Sequence, residues 1–235
     1  MIKHLSLSNR ISDYLNHVSP ERLVIRETLN EVSTRLPNTA IFGGMIREFA
    51  LGNAREFSSD IDLVAFASHH EIYQAIKEFN PDRNKFGGFR FIVGKQLYDI
   101  WAFDDTWAFR EGIIKGNVFK DLLDTTFFNL DAALFNLDES VCYVSDSYQT
   151  WLDDHLLDLN LQENPAPANM ARRAINMAIN QNLAIGPKLG LFLISQKINT
   201  PTDLISDMFL FGLKKHLEKN DSAQYFFQPQ MSLLA

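Results

Sequence analysis

Residues 41–66 run IFGGMIREFALGNAREFSSDIDLVAF, and their order decides the fold. A glycine pair, Gly43 and Gly44, ends the short apolar segment TAIFGG, and an Asp-x-Asp, Asp60 and Asp62, opens the next one, DIDLVAF. Side chains at i and i+2 of a strand project to the same face, so the two carboxylates are expected together while Ile61 and Leu63 enter the core. Between them MIREFALG has the spacing of one short amphipathic helix closed by Gly52. The expected local order is strand, Gly-Gly turn, helix, strand.

Outward from that stretch, SPERLVIRETLNEVSTRL predicts a helix opening at Ser19, with Pro20 at its first position. Leu23, Ile25, Leu29, Val32 and Leu36 give its apolar side, and it stops before Pro37. Downstream, HHEIYQAIKEF is helical and NPDRN a turn, while GFRFIV, GK and QLYDIWAF form an antiparallel hairpin. After Thr106 the patterns are helical, among them FFNLDAALFNL and NMARRAINMAINQNL, with QENPAPAN at residues 162–169 the clearest internal break. The expected class is α/β, more narrowly α+β. A helical segment, residues 1–36, packs on a head with a mixed or antiparallel sheet, residues 37–125, and a small helical domain follows, residues 126–235.

Composition is that of a folded chain: 235 residues, 46% hydrophobic, with 19 phenylalanines to fill a core. The net charge of -7 argues against a broad electrostatic footprint for nucleic acid but leaves room for a local basic patch. Cys142 is the sole cysteine, so no internal disulfide forms and the thiol is expected to act as a small buried hydrophobe. The N-terminus MIKHLSLSNRISDYLNHVS is too polar for a secretory signal, and the longest apolar run, LGLFLI, is too short to span a bilayer. The expectation is a soluble cytoplasmic protein with no membrane partner.

The chemistry gathers on three aspartates. Asp99 interrupts a strongly apolar hairpin strand, where an unpaired charge is costly, and is the expected companion of Asp60 and Asp62. Three carboxylates at close range repel and raise one another's pKa values unless a divalent cation balances them. Mg²⁺ suits such a site, with Mn²⁺ as its substitute, because it uses few carboxylates and takes its remaining ligands from water and substrate phosphates. Gly43 and Gly44 would let the backbone approach the triphosphate of an NTP, and Arg47, one turn into the helix, would reach a phosphate or steady the aspartates. Asp-x-Asp or Gly-Gly alone is common in proteins without such a role; the order, spacing and placement of all the parts give the signal.

On these residues the chain resembles the nucleotidyltransferases of the DNA polymerase β superfamily, specifically the head and neck of CCA-adding tRNA nucleotidyltransferases and bacterial poly(A) polymerases. The family pattern Gly-Gly-x-x-Arg-Asp, Leu-Gly, Asp-x-Asp is met by GGMIRE, LG and DID, with Glu48 in place of the family's Asp. The resemblance implies that Asp60, Asp62 and Asp99 are catalytic metal ligands and that Gly43, Gly44 and Arg47 contact nucleotide. Further on, FNLDAALFN is similar to the family's Phe-Thr-Ile-Asn-Ala-Leu-Ala-Tyr segment, and RAINMAINQNLAI to its Arg-Ala-x-Arg-Phe-Ala neck run. Departures are equally visible. Thr126 and Phe127 stand where the family has Arg-Asp, Asp131 where it has Asn, and the neck's Glu-Asp-x-x-Arg falls on the uncharged APANM. The family's body and tail are expected to be missing, and Lys214, Lys215 and Lys219 to be a solvated helix face.

The remaining candidates are weaker. His69 and His70 are adjacent, lack the i,i+4 spacing of helical metal ligands, and are expected on a helix surface. Trp101 and Phe103 are expected in the core, and Asp104 and Asp105 in a solvated loop. The functional expectation is metal-dependent transfer of a nucleoside monophosphate from an NTP to an RNA 3′ end. Transfer to a protein or small-molecule hydroxyl is the alternative within the same chemistry, and a catalytically silent nucleotide- or partner-binding regulator the alternative outside it.

Overall fold

The computed structural model describes residues 2–54, 57–84 and 87–199, and its organising feature is an eight-stranded sheet. In chain order the elements are β1 (Ile2–Lys3), α1 (Leu5–Asn16), α2 (Pro20–Arg35), β2 (Thr39–Phe42), α3 (Gly44–Ala50), β3 (Ile61–Ala65) and α4 (His69–Ile76). Then come β4 (Asp82–Arg83), β5 (Phe89–Val93), β6 (Gln96–Ala102), α5 (Trp107–Arg110), α6 (Phe119–Leu122), β7 (Ala133–Asn136) and β8 (Val141–Val144). The last are α7 (Asp146–Asp154), β9 (Leu156–Leu157), α8 (Pro167–Gln181), β10 (Ala184–Ile185) and α9 (Pro187–Asn199).

The strand order is β1-β8-β7-β2-β3-β6-β5-β4, and every pairing is antiparallel except β3 with β6. The sheet is therefore mixed, within the expected class. Helix α4 lies in the connection that makes β3 and β6 parallel, as a crossover requires. One sheet face presents Ile41, Leu63 and Ile100, all 0% exposed. Helices α1 to α4 contact the strands of the sheet, α1 at β8, α2 at β5, α3 at β2, β3 and β7, and α4 at β6. Each such side chain removed from water contributes about 1.5–3 kcal/mol, so this face is a principal source of stability.

The opposite face carries a second cluster, Ala40, Val64, Leu134 and Tyr143 from the strands against Phe103, Leu122 and Leu123. Phe103 stacks on Phe66 with ring centroids 3.9 Å apart, and Trp101 packs at the edge of the cluster while its indole N–H donates to Thr106 Oγ1 at 3.2 Å. Phe103 is core, as the sequence indicates, and Trp101 is partly buried against it.

Local signals account for most boundaries. Ser19 Oγ accepts from the Arg22 N–H and Pro20 starts α2, which ends at Arg35 ahead of Pro37. Ser68 and Glu71 form a full capping box on α4. Gly94 takes a positive φ in the two-residue turn joining β5 and β6, and Val93 pairs with Gln96 across it.

FFNLDAALFNL is not helical. Its centre forms a 3₁₀ turn, Asn129–Asp131, and then β7, which lies between β2 and β8 with Ala133, Leu134, Phe135 and Asn136 all buried. A strand buried on both faces shows a continuous apolar run, which periodicity alone does not separate from a helix.

The chain divides into two compact units. The first comprises the residues up to Thr126 together with Asp131–Asp146, so the N-terminal segment belongs to it through β1, and the sheet extends past the expected boundary at residue 125 to take in β7 and β8. The second comprises Phe127–Leu130 and the described residues from Ser147 onward. Within the second, β9 and β10 pair in parallel around α8, and Asp158 Oδ1 accepts from the Leu189 N–H at 2.7 Å to cap α9. Lys214, Lys215 and Lys219 lie outside the described residues. Among the described residues no helix is long and apolar enough to cross a membrane.

Candidate functional site

Asp62 and Asp99 are direct neighbours across the parallel β3–β6 pair, and the same register row continues through Phe42 on one side and Arg90 on the other. Cross-strand partners project to one face, so the two carboxylates meet without any loop rearrangement. Asp60 sits one residue ahead of β3 rather than on it. Its approach is held by Gln96, whose side-chain amide donates to the Ser59 carbonyl at 2.8 Å. Ligand oxygens of Asp60, Asp62 and Asp99 all lie within 4.8 Å of one another, the arrangement of three acidic groups that a metal ion could join.

The glycine pair sits against this cluster. Gly43 has φ +78 and ψ -132, a conformation closed to L side chains, and a Cβ there would stand 2.9 Å from Asp62 Oδ2. The Gly44 N–H bonds the Asp62 carboxylate. The first partner of the turn is therefore Asp62 itself.

Electrostatics show a site short of positive charge. Burial is the main cause that pushes Asp62 from its ordinary value near 3.8 up to about 7, reinforced by Asp60, Asp99 and Asp131 and opposed by the Gly44 N–H. Two guanidiniums partly offset the carboxylates. Arg47, placed by α3, pairs with Asp131 and lies 3.8 Å from Glu48, so its visible role is to bind a fourth carboxylate beside the cluster. Arg90 grips Asp99 with both arms of its fork: Nε donates to Oδ1 at 3.0 Å, and Nη2 donates to Oδ2.

Arg90, and the pairing of Arg47 with Asp131, are what sequence reasoning missed. The first had a signal, because a two-residue turn at Gly94 and Lys95 fixes Arg90 opposite Asp99. The second joins residues 84 positions apart and had none.

Two surface readings change. His69 is only half exposed, and its Nε2 lies within ion-pair range of Asp105 Oδ2, out of alignment for a hydrogen bond. Asp105 belongs to the 3₁₀ turn Phe103–Asp105, which folds back toward the start of α4 instead of extending into solvent. Cys142 is fully buried in β8, which pushes its thiol up to about 12 and leaves it inert at neutral pH.

No family model and no curated protein matches the chain. Solved structures do match in fold. A CCA-adding enzyme with CTP superposes with TM-score 0.63 at 17% identity over 96% of this chain and 57% of its own. The Thermotoga maritima CCA-adding enzyme complexed with tRNA gives 0.64 at 16% identity over 92% of this chain and 55% of its own. A tRNA nucleotidyltransferase complexed with a primer tRNA and an incoming ATP analog gives 0.57 at 16% identity, over 85% and 62%. The chain spans a little over half the length of these proteins and has their mixed α/β fold over that span.

Proposed function

We propose that this chain is a metal-dependent nucleotidyltransferase that moves a nucleoside monophosphate from an NTP to an RNA 3′ end. The observation that carries the reading is the convergence of Asp60, Asp62 and Asp99 within 4.8 Å beside the Gly43–Gly44 turn. The donor set fits a hard divalent cation: it is all oxygen, and burial together with neighbouring carboxylates holds the proton of Asp62 to about pH 7, a conflict that a cation would relieve. Asp60, Asp62 and Asp99 would hold Mg²⁺ or Mn²⁺. Bound there, the metal supplies charge neutralisation for the triphosphate and a more acidic attacking hydroxyl.

The chain's own residues define the rest. Gly43 and Gly44 keep the floor of the site free of side chains on the approach to Asp62, so a polyphosphate can come close to the carboxylates. Arg47 holds Asp131 in place and Arg90 holds Asp99, which limits repulsion among four acidic groups. Support for NTP as donor and RNA as acceptor comes from the structures that share the fold, which include complexes with CTP and with tRNA.

The test is to incubate the pure protein with each labelled NTP, Mg²⁺ or Mn²⁺, total RNA and lysate protein. Label on RNA with release of pyrophosphate is the expected result. Label on protein would replace the acceptor, and no transfer from any NTP would overturn the reading.

A further inference from the structure

We infer that Arg90 is a resident substitute for the metal at Asp99, a guanidinium that closes the site in the metal-free protein and is displaced when the divalent cation binds. The inference rests on the metal-site reading of Asp60, Asp62 and Asp99. Its basis is how completely Asp99 is engaged. Both carboxylate oxygens accept from the two arms of one guanidinium, through Nε at 3.0 Å and through Nη2, so each oxygen already gives one lone pair to a positive charge.

The strand pairing imposes this. Arg90 is opposite Asp99 on β5, and Asp99 is opposite Asp62 on β3, so Arg90 abuts the cluster in the same row of the sheet. Exposure differs sharply between the partners. The Asp99 side chain is 11% exposed and set in a central strand, while that of Arg90 is 51% exposed and has solvent to retreat into. Displacement therefore moves a flexible surface side chain and leaves the carboxylate where it is. A positively charged fork and a divalent cation drawn to the same two oxygens repel each other and weaken each other's hold, so metal and Arg90 compete.

The consequence is read in metal affinity, without NTP or turnover. Mn²⁺ is titrated into chelator-stripped protein and the free ion is followed by electron paramagnetic resonance. Arg90→Gln should bind Mn²⁺ about fivefold to tenfold more tightly than the wild type, the gain being limited because solvent already weakens an exposed ion pair. Arg90→Lys retains charge but loses the fork, and should also bind more tightly, by a smaller factor. Lys95→Gln removes one positive charge from the β5–β6 turn and should leave the affinity within about twofold, which separates competition at Asp99 from a general change in charge.

Equal or weaker binding by Arg90→Gln would show that Arg90 only orients Asp99, and would overturn the inference while leaving the metal site intact. A gain in Lys95→Gln as large as that in Arg90→Gln would also overturn it. Absence of Mn²⁺ binding in the wild type and in every variant would remove the metal reading together with this one. Tight binding confined to the Arg90 variants would support both.

Discussion

Asp62 is where the cost of the site is concentrated. In the unfolded chain its carboxyl ionises near 3.8, whereas in the folded protein burial and neighbouring aspartates hold the proton to about pH 7. Its contribution to stability is thus fully present below about pH 4 and is lost as pH rises through 7, the sign expected when the native state binds the proton more tightly. Raising a carboxyl from 3.8 to about 7 corresponds to at most about 4 kcal/mol. In chelator, Asp62→Asn should therefore melt above the wild type at pH 8, and the two should converge near pH 4. Added Mg²⁺ should stabilise the wild type and not the variant. Equal melting temperatures at both pH values would mean that the carboxylates are not in conflict. The same substitution at Asp60, Asp62 or Asp99 should reduce nucleotide transfer at least a hundredfold, since removing one preorganised charge-stabilising group at a reacting centre costs on the order of 10²–10³ in rate. Asp62 and Asp99 were legible in the sequence because strand alternation and an apolar hairpin predict where a charge projects, and Asp60 because it precedes β3 in an Asp-x-Asp. Asp131 was visible only as an unusual residue, since nothing local specifies that it meets Arg47.

At the scale of elements, strand, glycine turn and helix act as one unit around Asp62. Gly43 is required twice, by its backbone angles and by the carboxylate 2.9 Å from where a Cβ would sit. Gly52, closing α3, has φ +85 but nothing within 4 Å of where its Cβ would sit. The two glycines separate strain from site geometry. Gly43→Ala and Gly52→Ala should both lower stability by about 1–3 kcal/mol, because each forces an L residue into an unfavourable region. Only Gly43→Ala should also weaken Mn²⁺ binding, by about tenfold or more, through displacement of Asp62. Thermal melts and Mn²⁺ titrations on both variants check this, and equal metal affinities would refute it. Element types were legible wherever caps and turns spoke locally, as at Ser19, Ser68 and Gly94. They failed at β7, whose four buried residues carry no alternation to identify a strand and whose partners, β2 and β8, are set by tertiary pairing.

For the molecule as a whole, the chain forms two compact units, and the sheet recruits segments from both sides of the stretch expected as the head. Sequence could not show this, because membership of a sheet depends on long-range pairing rather than on local pattern. On the proposed function the three aspartates place the transfer chemistry in one unit, and choice of base is a separate problem. In the family the chain resembles, a charged Glu-Asp-x-x-Arg run reads the base edge, and here that position is APANM at the start of α8. Asn169, exposed in the first turn, is the one side chain there with a hydrogen-bonding edge, and a single amide discriminates loosely. A site that loses its paired hydrogen-bonding groups loses most of a selectivity that such groups can raise to about 10⁴–10⁵. The net charge of -7 adds a weak hold on a long polyanion, so binding should fall steeply with salt. A tRNA ending just before its terminal triplet, incubated with all four NTPs and Mg²⁺, should accordingly gain one or a few residues of one favoured nucleotide, or several with little preference. Sequencing the products at low and moderate salt decides the matter, with yield dropping as salt rises. Faithful completion of C-C-A would mean that residues other than those at the start of α8 read the base, and that the chain performs ordered addition despite lacking the family's charged motif.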